Sequence, residues 1–380
     1  MAKEDSNVQD IRSEKEDFYS DDSIFNISSW GADLSFRELI ARYDENALVK
    51  PEIQRNYVWD RSEASRFIDS ILLGLPIPSI FLAKTGDEKM LIIDGYQRIM
   101  TVHDFVKGVF SADKKVFRLT KSAKVNPRWS GKAFSELTEP EQRRVTNTTI
   151  HAIVFVQNAP LNDDTSMYQI FERINTSGRT LLPQEIRNCI YQGSFNRMLI
   201  ELNHDPTWRR MYGLDNPDPR MRDIEFVLRF LAMDDRDFRL EENESISLKK
   251  FLNLFMDEYQ TAKPEVLGPL GAKFLETLLL VFKLFGDEAF HNLSPKYPDR
   301  LVPKFNPTIF DSIMLASSIA MRGRIPLPDH EFRVRRRQLL ANLDYQNSVK
   351  IRTTNTAQIV KRISLALHYL YNFDYAQQQG

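Results

Sequence analysis

Three short stretches of the chain gather arginine, amide and glycine residues in patterns suited to chemistry on an anion. The most informative reads LIIDGYQRIMT over residues 91–101. Leu91, Ile92 and Ile93 suit a buried strand, Asp94-Gly95 breaks it, and residues 96–102 resume at helical spacing. In such a strand-turn-helix unit, glycine lets a ligand approach the backbone and the N–H groups of the first helical turn favour negative charge. Gln97 and Arg98 would add donors there, Arg98 as a planar fork matched to phosphate. Asp94 could hold a metal ion or position a water. An Asp-Gly turn before Gln-Arg is also an ordinary way to begin a helix, so the neighbouring segments decide.

Upstream, residues 51–59 hold Gln54, Arg55, Tyr57 and Trp59. Downstream, residues 171–181 hold Arg173, Asn175, Gly178 and Arg179, with Arg187 shortly after. With Asp94, Gln97 and Arg98, these residues would suit a polyanion such as a triphosphate, and Tyr57, Trp59 or Tyr96 could stack a base. The structural alternative makes Arg55 and Arg173 buried partners of Asp94 and Glu185.

Other chemistries find little support. The six histidines, His103, His151, His204, His291, His330 and His368, form no close-spaced pair, which argues against a histidine-rich metal site. Neither a G-x-x-x-x-G-K-[ST] phosphate loop nor a G-x-S-x-G nucleophile elbow is present. His291 with Pro295 lacks the further His or Asn that a His-containing nuclease motif needs. The single cysteine, Cys189, excludes an internal disulfide and a cysteine-rich zinc site, and suits a core thiol.

The elements that must position these groups follow from length and patterning. A chain of 380 residues exceeds what one core usually supports, so we expect an acidic tail over 1–23, an α+β domain over 24–195 and a mainly helical domain over 196–380. Residues 1–22 hold eight acids against three bases, so the formal charge of −1 leaves the remaining chain mildly basic. The first domain is predicted to contain helices over 35–43 and 62–73, strands over 80–82 and 90–93, the turn at 94–95, a helix over 140–148, a strand over 151–156, a helix over 164–174 and another opening at 182–185. Beyond 196, helical spacing recurs at 222–233, 248–261, 271–284, 307–320, 332–340 and 356–371, and extended runs are missing. A Thr-Thr-Asn-Thr start at 353–356 serves as a helix cap or as a backbone contact to nucleic acid.

Two basic clusters could meet a phosphate backbone. Residues 114–132 include Lys121, Lys124 and Arg128 beside Trp129. The second cluster includes Arg335 and Arg336, with Arg333, Arg337, Arg322 and Arg324 nearby. A solvated charged face is the simpler account of each. No apolar run approaches the roughly 18–20 residues that span a bilayer, and the charged N-terminus does not read as a signal peptide, so a soluble cytoplasmic protein without a membrane partner is expected.

Taken in order, the motifs resemble the GmrSD and SspE type of restriction and phage-defence proteins, whose N-terminal domain is known as domain of unknown function 262. That family's Q-R-x-Y-x-W segment is here Gln54 to Trp59, its I-D-G-x-Q-R segment Ile93 to Arg98, and its F-x-x-I/L-N-x-x-G-x-x-L segment Phe171 to Leu181. The usual D-G-Q-Q-R appears as D-G-Y-Q-R, with Tyr96 in place of the first Gln. The resemblance implies a ParB/sulfiredoxin-like fold that binds and hydrolyses nucleoside triphosphates with Mg²⁺. Asp94, Gln97 and Arg98 would be catalytic, with Asp94 as the metal ligand. Gln54, Arg55, Gly95, Tyr96, Arg173, Asn175 and Gly178 would bind nucleotide, and Tyr57, Trp59, Lys121, Lys124, Arg128, Arg335 and Arg336 would meet DNA, modified or phage DNA included. No C-terminal His-Asn-His nuclease motif is found, so the resemblance implies a sensor half acting with a separate nuclease subunit, or as a homo-oligomer. Two competing expectations are a DNA-binding module without hydrolysis and a nicking nuclease built on the N-terminal domain itself.

Overall fold

The computed structural model describes residues 26–49, 59–84, 89–159, 182–235, 247–297, 299–327, 331–350 and 354–374. They divide into two compact units. One holds the described residues of Ser23–Leu181 with Asn188–Ile190, the other those of Leu182–Arg187 with Tyr191 onward.

The first unit is built on a five-stranded mixed sheet in the order β1-β5-β3-β4-β2. Its strands are β1 (Asn26–Ser35), β2 (Leu48–Val49), β3 (Ile80–Lys84), β4 (Met90–Asp94) and β5 (Thr149–Ala159). β1 runs antiparallel to β5 and β3 antiparallel to β4, while the β3–β5 and β2–β4 pairs are parallel. Strands in the middle of a sheet bury both faces and read as continuous apolar runs, which is why Leu91, Ile92 and Ile93 are all buried. β1 carries no clear strand signal in the sequence. Residues 28–31 are exposed, so this edge strand lacks the alternation that marks a half-buried one.

Among the described residues the sheet is joined by helices α1 (Phe36–Asp44), α2 (Arg61–Leu73), α3 (Tyr96–Lys107) and α4 (Glu139–Asn147), and the helix expected over 164–174 lies outside them. Their ends follow local chemistry. Ser35 accepts from Glu38 N at 3.2 Å and caps α1. Asp60 and Glu63 form a reciprocal capping box on α2, which Gly74 closes in the left-handed region. The apolar faces meet in one core containing Phe36, Leu39, Ile68, Leu72, Ile80, Leu82, Ile92, Ile99, Val102 and Phe105. The basic stretch before α4 is irregular but folded onto this core through Phe117, Leu119, Val125 and Trp129.

The second unit is mainly helical, from α5 (Pro183–Ile190), α6 (Ser194–Asn203), α7 (Pro206–Tyr212) and α8 (Arg222–Asp235) through α9 (Leu248–Tyr259) and α10 (Pro264–Phe285). It continues with α11 (Pro307–Arg322), α12 (Phe332–Ala341), α13 (Leu343–Lys350) and α14 (Thr356–Tyr371). Asn355 caps α14 by accepting from Gln358 N, so capping accounts for the Thr-Thr-Asn-Thr signal. Extended structure is not missing: β6 (His291–Leu293) and β7 (Leu301–Phe305) form an antiparallel hairpin, too short and too interrupted by Pro303 to stand out in the sequence. And α10 begins at Pro264 rather than near 271, because the helix continues through Pro269, which forgoes a backbone bond there. Among the described residues, no helix is long and apolar enough to cross a membrane.

Candidate functional site

β4 ends at Asp94, and the chain turns at Gly95 with φ 102° before α3 starts. Two constraints demand glycine here. The backbone is in the left-handed half of conformational space, and a Cβ would lie 2.2 Å from Ile80 Cγ2 on β3. No side chain caps the start of α3.

Across this turn Arg98 Nη2 donates to Asp94 Oδ2 at 2.5 Å and to Ser79 O at 3.1 Å. Arg98 Nε is buried with no partner among the described residues. Asp94 keeps 39% of its side chain exposed against 17% for Arg98, so the carboxylate is the more open member of the pair. Gln97 Oε1 accepts from Trp59 N at 3.3 Å, and the Trp59 ring packs edge-on against Phe67 at 5.5 Å between centroids. The expected Asp94, Gly95, Gln97, Arg98 and Trp59 therefore lie together at one end of β4 and α3. Tyr96 is different. Its ring is buried in the core, and its hydroxyl is hydrogen-bonded with Tyr43, so it is not open for stacking a base. Gln54, Arg55, Tyr57, Arg173, Asn175, Gly178 and Arg179 lie outside the described residues.

A polar cluster further along α3 is not among the residues that the sequence singles out. His103 Nε2 lies 3.1 Å from Asp44 Oδ1, its Nδ1 is 3.5 Å from Asp104 Oδ1, and Lys107 Nζ reaches Asp44 Oδ2 at 2.7 Å. The hydrogen bond to Asp104, with that to Asp44, raises the His103 pKa above its usual value against the opposing effect of burial. The Lys107 ammonium holds Asp44 below the usual carboxylate range. The adjacent pairs Tyr43-Asp44 and His103-Asp104, one on each of two helices, were the available signal.

No group of three His, Cys, Asp or Glu that could hold an ion occurs among the described residues. A lone carboxylate, Asp94, suits only an ion such as Mg²⁺ that keeps its waters and takes other ligands from phosphates.

In the basic stretch Lys121, Lys124 and Arg128 are exposed. Arg128 Nε donates to Glu141 Oε1 at 2.7 Å, and the Glu141 carboxyl is held below its usual range, chiefly by the Thr138 backbone N–H and also by this arginine. Beneath it Trp129 is buried, its Nε1 donating to Asp69 Oδ1 at 2.6 Å. A cleft of about 460 Å³ opens here between Leu72, Trp129, Arg128 and Arg144. Arg118 pairs with Glu136 at 2.6 Å, so part of the positive charge in this stretch is neutralised locally.

Two arginines do not occupy the places expected of them. Arg336 is buried, because helical spacing sets it on the packed face of α12 with Leu339 and Leu340. It donates from Nε to Ala289 O at 3.0 Å and from Nη2 to His291 O at 2.9 Å and to Glu288 O, and burial pulls its pKa down to about 10. Arg336 is therefore a brace under the β6–β7 hairpin and not a DNA contact. Arg187, read as a partner for a polyanion, is likewise buried, held by Asn253, Gln184 and Glu225. Arg335 remains near the surface, donating to Asn372 Oδ1 at 2.7 Å.

No curated protein matches the chain. The stretch from α1 through α5 and its C-terminal flank, which contains the Asp94 turn, does match a family model: residues 36–192 are similar to the GmrSD restriction endonuclease, N-terminal domain.

Proposed function

We propose that the protein acts in the restriction of phage or modified DNA, and that its 36–192 domain binds and hydrolyses a nucleoside triphosphate at the Asp94–Arg98 turn to regulate that response. One observation carries the reading: Arg98 holds Asp94 while its own buried Nε–H has no partner among the described residues. A phosphate arriving at the start of α3 would meet that unused donor and compete with Asp94 for the guanidinium, because arginine pairs with phosphate through two parallel bonds. Asp94, released, would orient the water that adds to the terminal phosphorus as the phosphoanhydride bond breaks. Asp94 is also the residue that would hold Mg²⁺, whose charge offsets that of the phosphates. Gly95 lets the turn close against Ile80 immediately ahead of α3, and Gln97 follows on the first turn of that helix.

The mixed sheet flanked by helices is compatible with the ParB/sulfiredoxin-like fold that the resemblance implies, and that assignment belongs to the proposal. So do a cytoplasmic location, DNA as partner, a separate nuclease subunit and self-association. The test is to titrate the full chain with each of the four nucleoside triphosphates and Mg²⁺, with and without DNA, and to follow phosphate release. Saturable binding weakened at least tenfold by Arg98→Ala supports it; no binding and no phosphate release with any nucleotide overturns it.

A second reading has its own observation. The Arg98 bonds to Asp94 and Ser79 O would also lock the turn as a purely structural staple, leaving a DNA-binding protein without hydrolysis. That version predicts salt-sensitive DNA retention that survives Asp94→Ala and Arg98→Ala.

A further inference from the structure

The β6–β7 hairpin carries a charged surface that the Asp94 turn does not use. Its loop is closed by its own bonds, Ser294 N to Arg300 O at 2.8 Å, Arg300 N to Tyr297 O at 2.9 Å and Tyr297 N to Ser294 Oγ at 3.2 Å. This folding brings Lys296 Nζ to 5.4 Å and Arg300 Cζ to 5.5 Å from the centre of the Tyr297 ring, which stays 51% exposed. Arg337 of α12 donates to Asp299 O at 3.2 Å and so stands beside the same loop. Arg333 lies one helical turn earlier on α12 and is also exposed. Asp299 on the loop and Glu331 ahead of α12 are the acids next to these cations in the chain. From below, the buried Arg336 fixes the strands by binding the carbonyls of Glu288, Ala289 and His291.

Exposed cations around a half-open aromatic ring on a braced hairpin match a chain that alternates phosphates with flat, partly apolar sugar and base groups. Carboxylates would satisfy the cations alone, whereas a nucleic acid brings a flat sugar or base group for the ring beside every phosphate.

We propose that this hairpin face is a DNA contact surface, in which Lys296, Arg300, Arg333 and Arg337 hold phosphates and Tyr297 packs against a sugar or an unpaired base. It rests on the DNA part of the proposed function and places that contact on the hairpin, beside the buried Arg336. The test uses the full chain and a fluorescently labelled oligonucleotide, single-stranded and duplex, with anisotropy read over a series of salt concentrations. Lys296→Ala/Arg300→Ala and Arg333→Ala/Arg337→Ala should each weaken binding about tenfold near 0.1 M salt and reduce the salt slope by about two, roughly one for each phosphate no longer held. Lys296→Gln/Arg300→Gln should do the same, with a far-ultraviolet spectrum and melting temperature like the wild type. Tyr297→Ala should cost roughly fivefold or more on the single strand. Lys263→Ala/Lys283→Ala, an equal loss of charge at the two ends of α10, should change little. If the wild type binds DNA and the hairpin variants bind equally well, this inference alone fails. Failure of the wild type to bind any DNA removes the DNA reading with it. Displacement of the oligonucleotide by polyglutamate at equal charge concentration would make the surface a site for acidic protein, which overturns it as well.

Discussion

The Arg98 guanidinium rests on the Asp94 carboxylate at 2.5 Å, four residues away across a glycine turn that joins a central strand to a helix. The pair links the end of β4 to the first turn of α3, and the same guanidinium reaches Ser79 O just ahead of β3. Removing the carboxylate leaves a mostly buried arginine with one carbonyl partner. Asp94→Ala should therefore destabilise by roughly 1–3 kcal/mol, since a buried donor that loses its acceptor costs its desolvation. Arg98→Ala should cost less than the two losses added, because Asp94 is open to water. A double-mutant cycle by urea denaturation should return a coupling of about 0.5–2 kcal/mol; additivity of the two substitutions would show the pair to be incidental.

Gly95→Ala should be worse than either. The left-handed backbone alone costs about 1–2 kcal/mol for a residue with a Cβ. The new methyl would also lie 2.2 Å from Ile80 Cγ2, far inside van der Waals contact, so β3 or the turn must shift. A loss of roughly 2–4 kcal/mol is expected by chemical denaturation, while Gly74→Ala, at φ 75° with no atom within 4 Å, should cost only the backbone part.

Much of this was legible because it is local. The alternation of a strand run, an Asp-Gly break and helical spacing located the Asp94 turn, and Ser35, Gly74 and Asn355 marked helix ends through hydrogen bonds made within a few residues. What stayed hidden depends on distant partners. Nothing in residues 96–107 says that Tyr96 points at Tyr43 or that His103 meets Asp44, since those meetings are set by how α1 and α3 pack. Likewise four arginines in five positions of α12 look equivalent along the chain, and only the packing of Leu339 and Leu340 turns Arg336 inward. β1 gave no alternation because its outward residues and most of its inward ones remain accessible.

Two histidines should give opposite pH signatures. In the folded state His103 is raised above the usual 6.5 by its bonds to Asp104 and Asp44. Its contribution to stability is thus fully present below about pH 6.5 and is lost as pH rises through the raised value. His291 is lowered from 6.5 by burial and by the nearby Arg336 charge, so it resists protonation when folded, and stability falls as pH drops below 6.5 toward its depressed value. Histidine side-chain NMR titration should place His103 above and His291 below 6.5. In His103→Asn the loss of stability on raising the pH from about 6 to 8 should be smaller than in the wild type. Titration of both rings near 6.5 would contradict the clusters described.

Arg336 offers the sharpest separation between a brace and a ligand contact. Its guanidinium satisfies three carbonyls, of Glu288, Ala289 and His291, at the point where the chain enters β6. Arg336→Ala leaves those oxygens without a donor in a largely buried place, a loss of roughly 2–4 kcal/mol concentrated on the hairpin. Backbone amides across residues 291–305 should then exchange with deuterated solvent much faster, while those of α14 change only to the extent that global stability falls. Arg336→Lys should rescue little, because a single ammonium cannot reproduce the planar fork that spans the carbonyls. Were Arg336 instead a phosphate ligand, Arg336→Ala would leave exchange over 291–305 unchanged and lower only the salt slope of DNA binding.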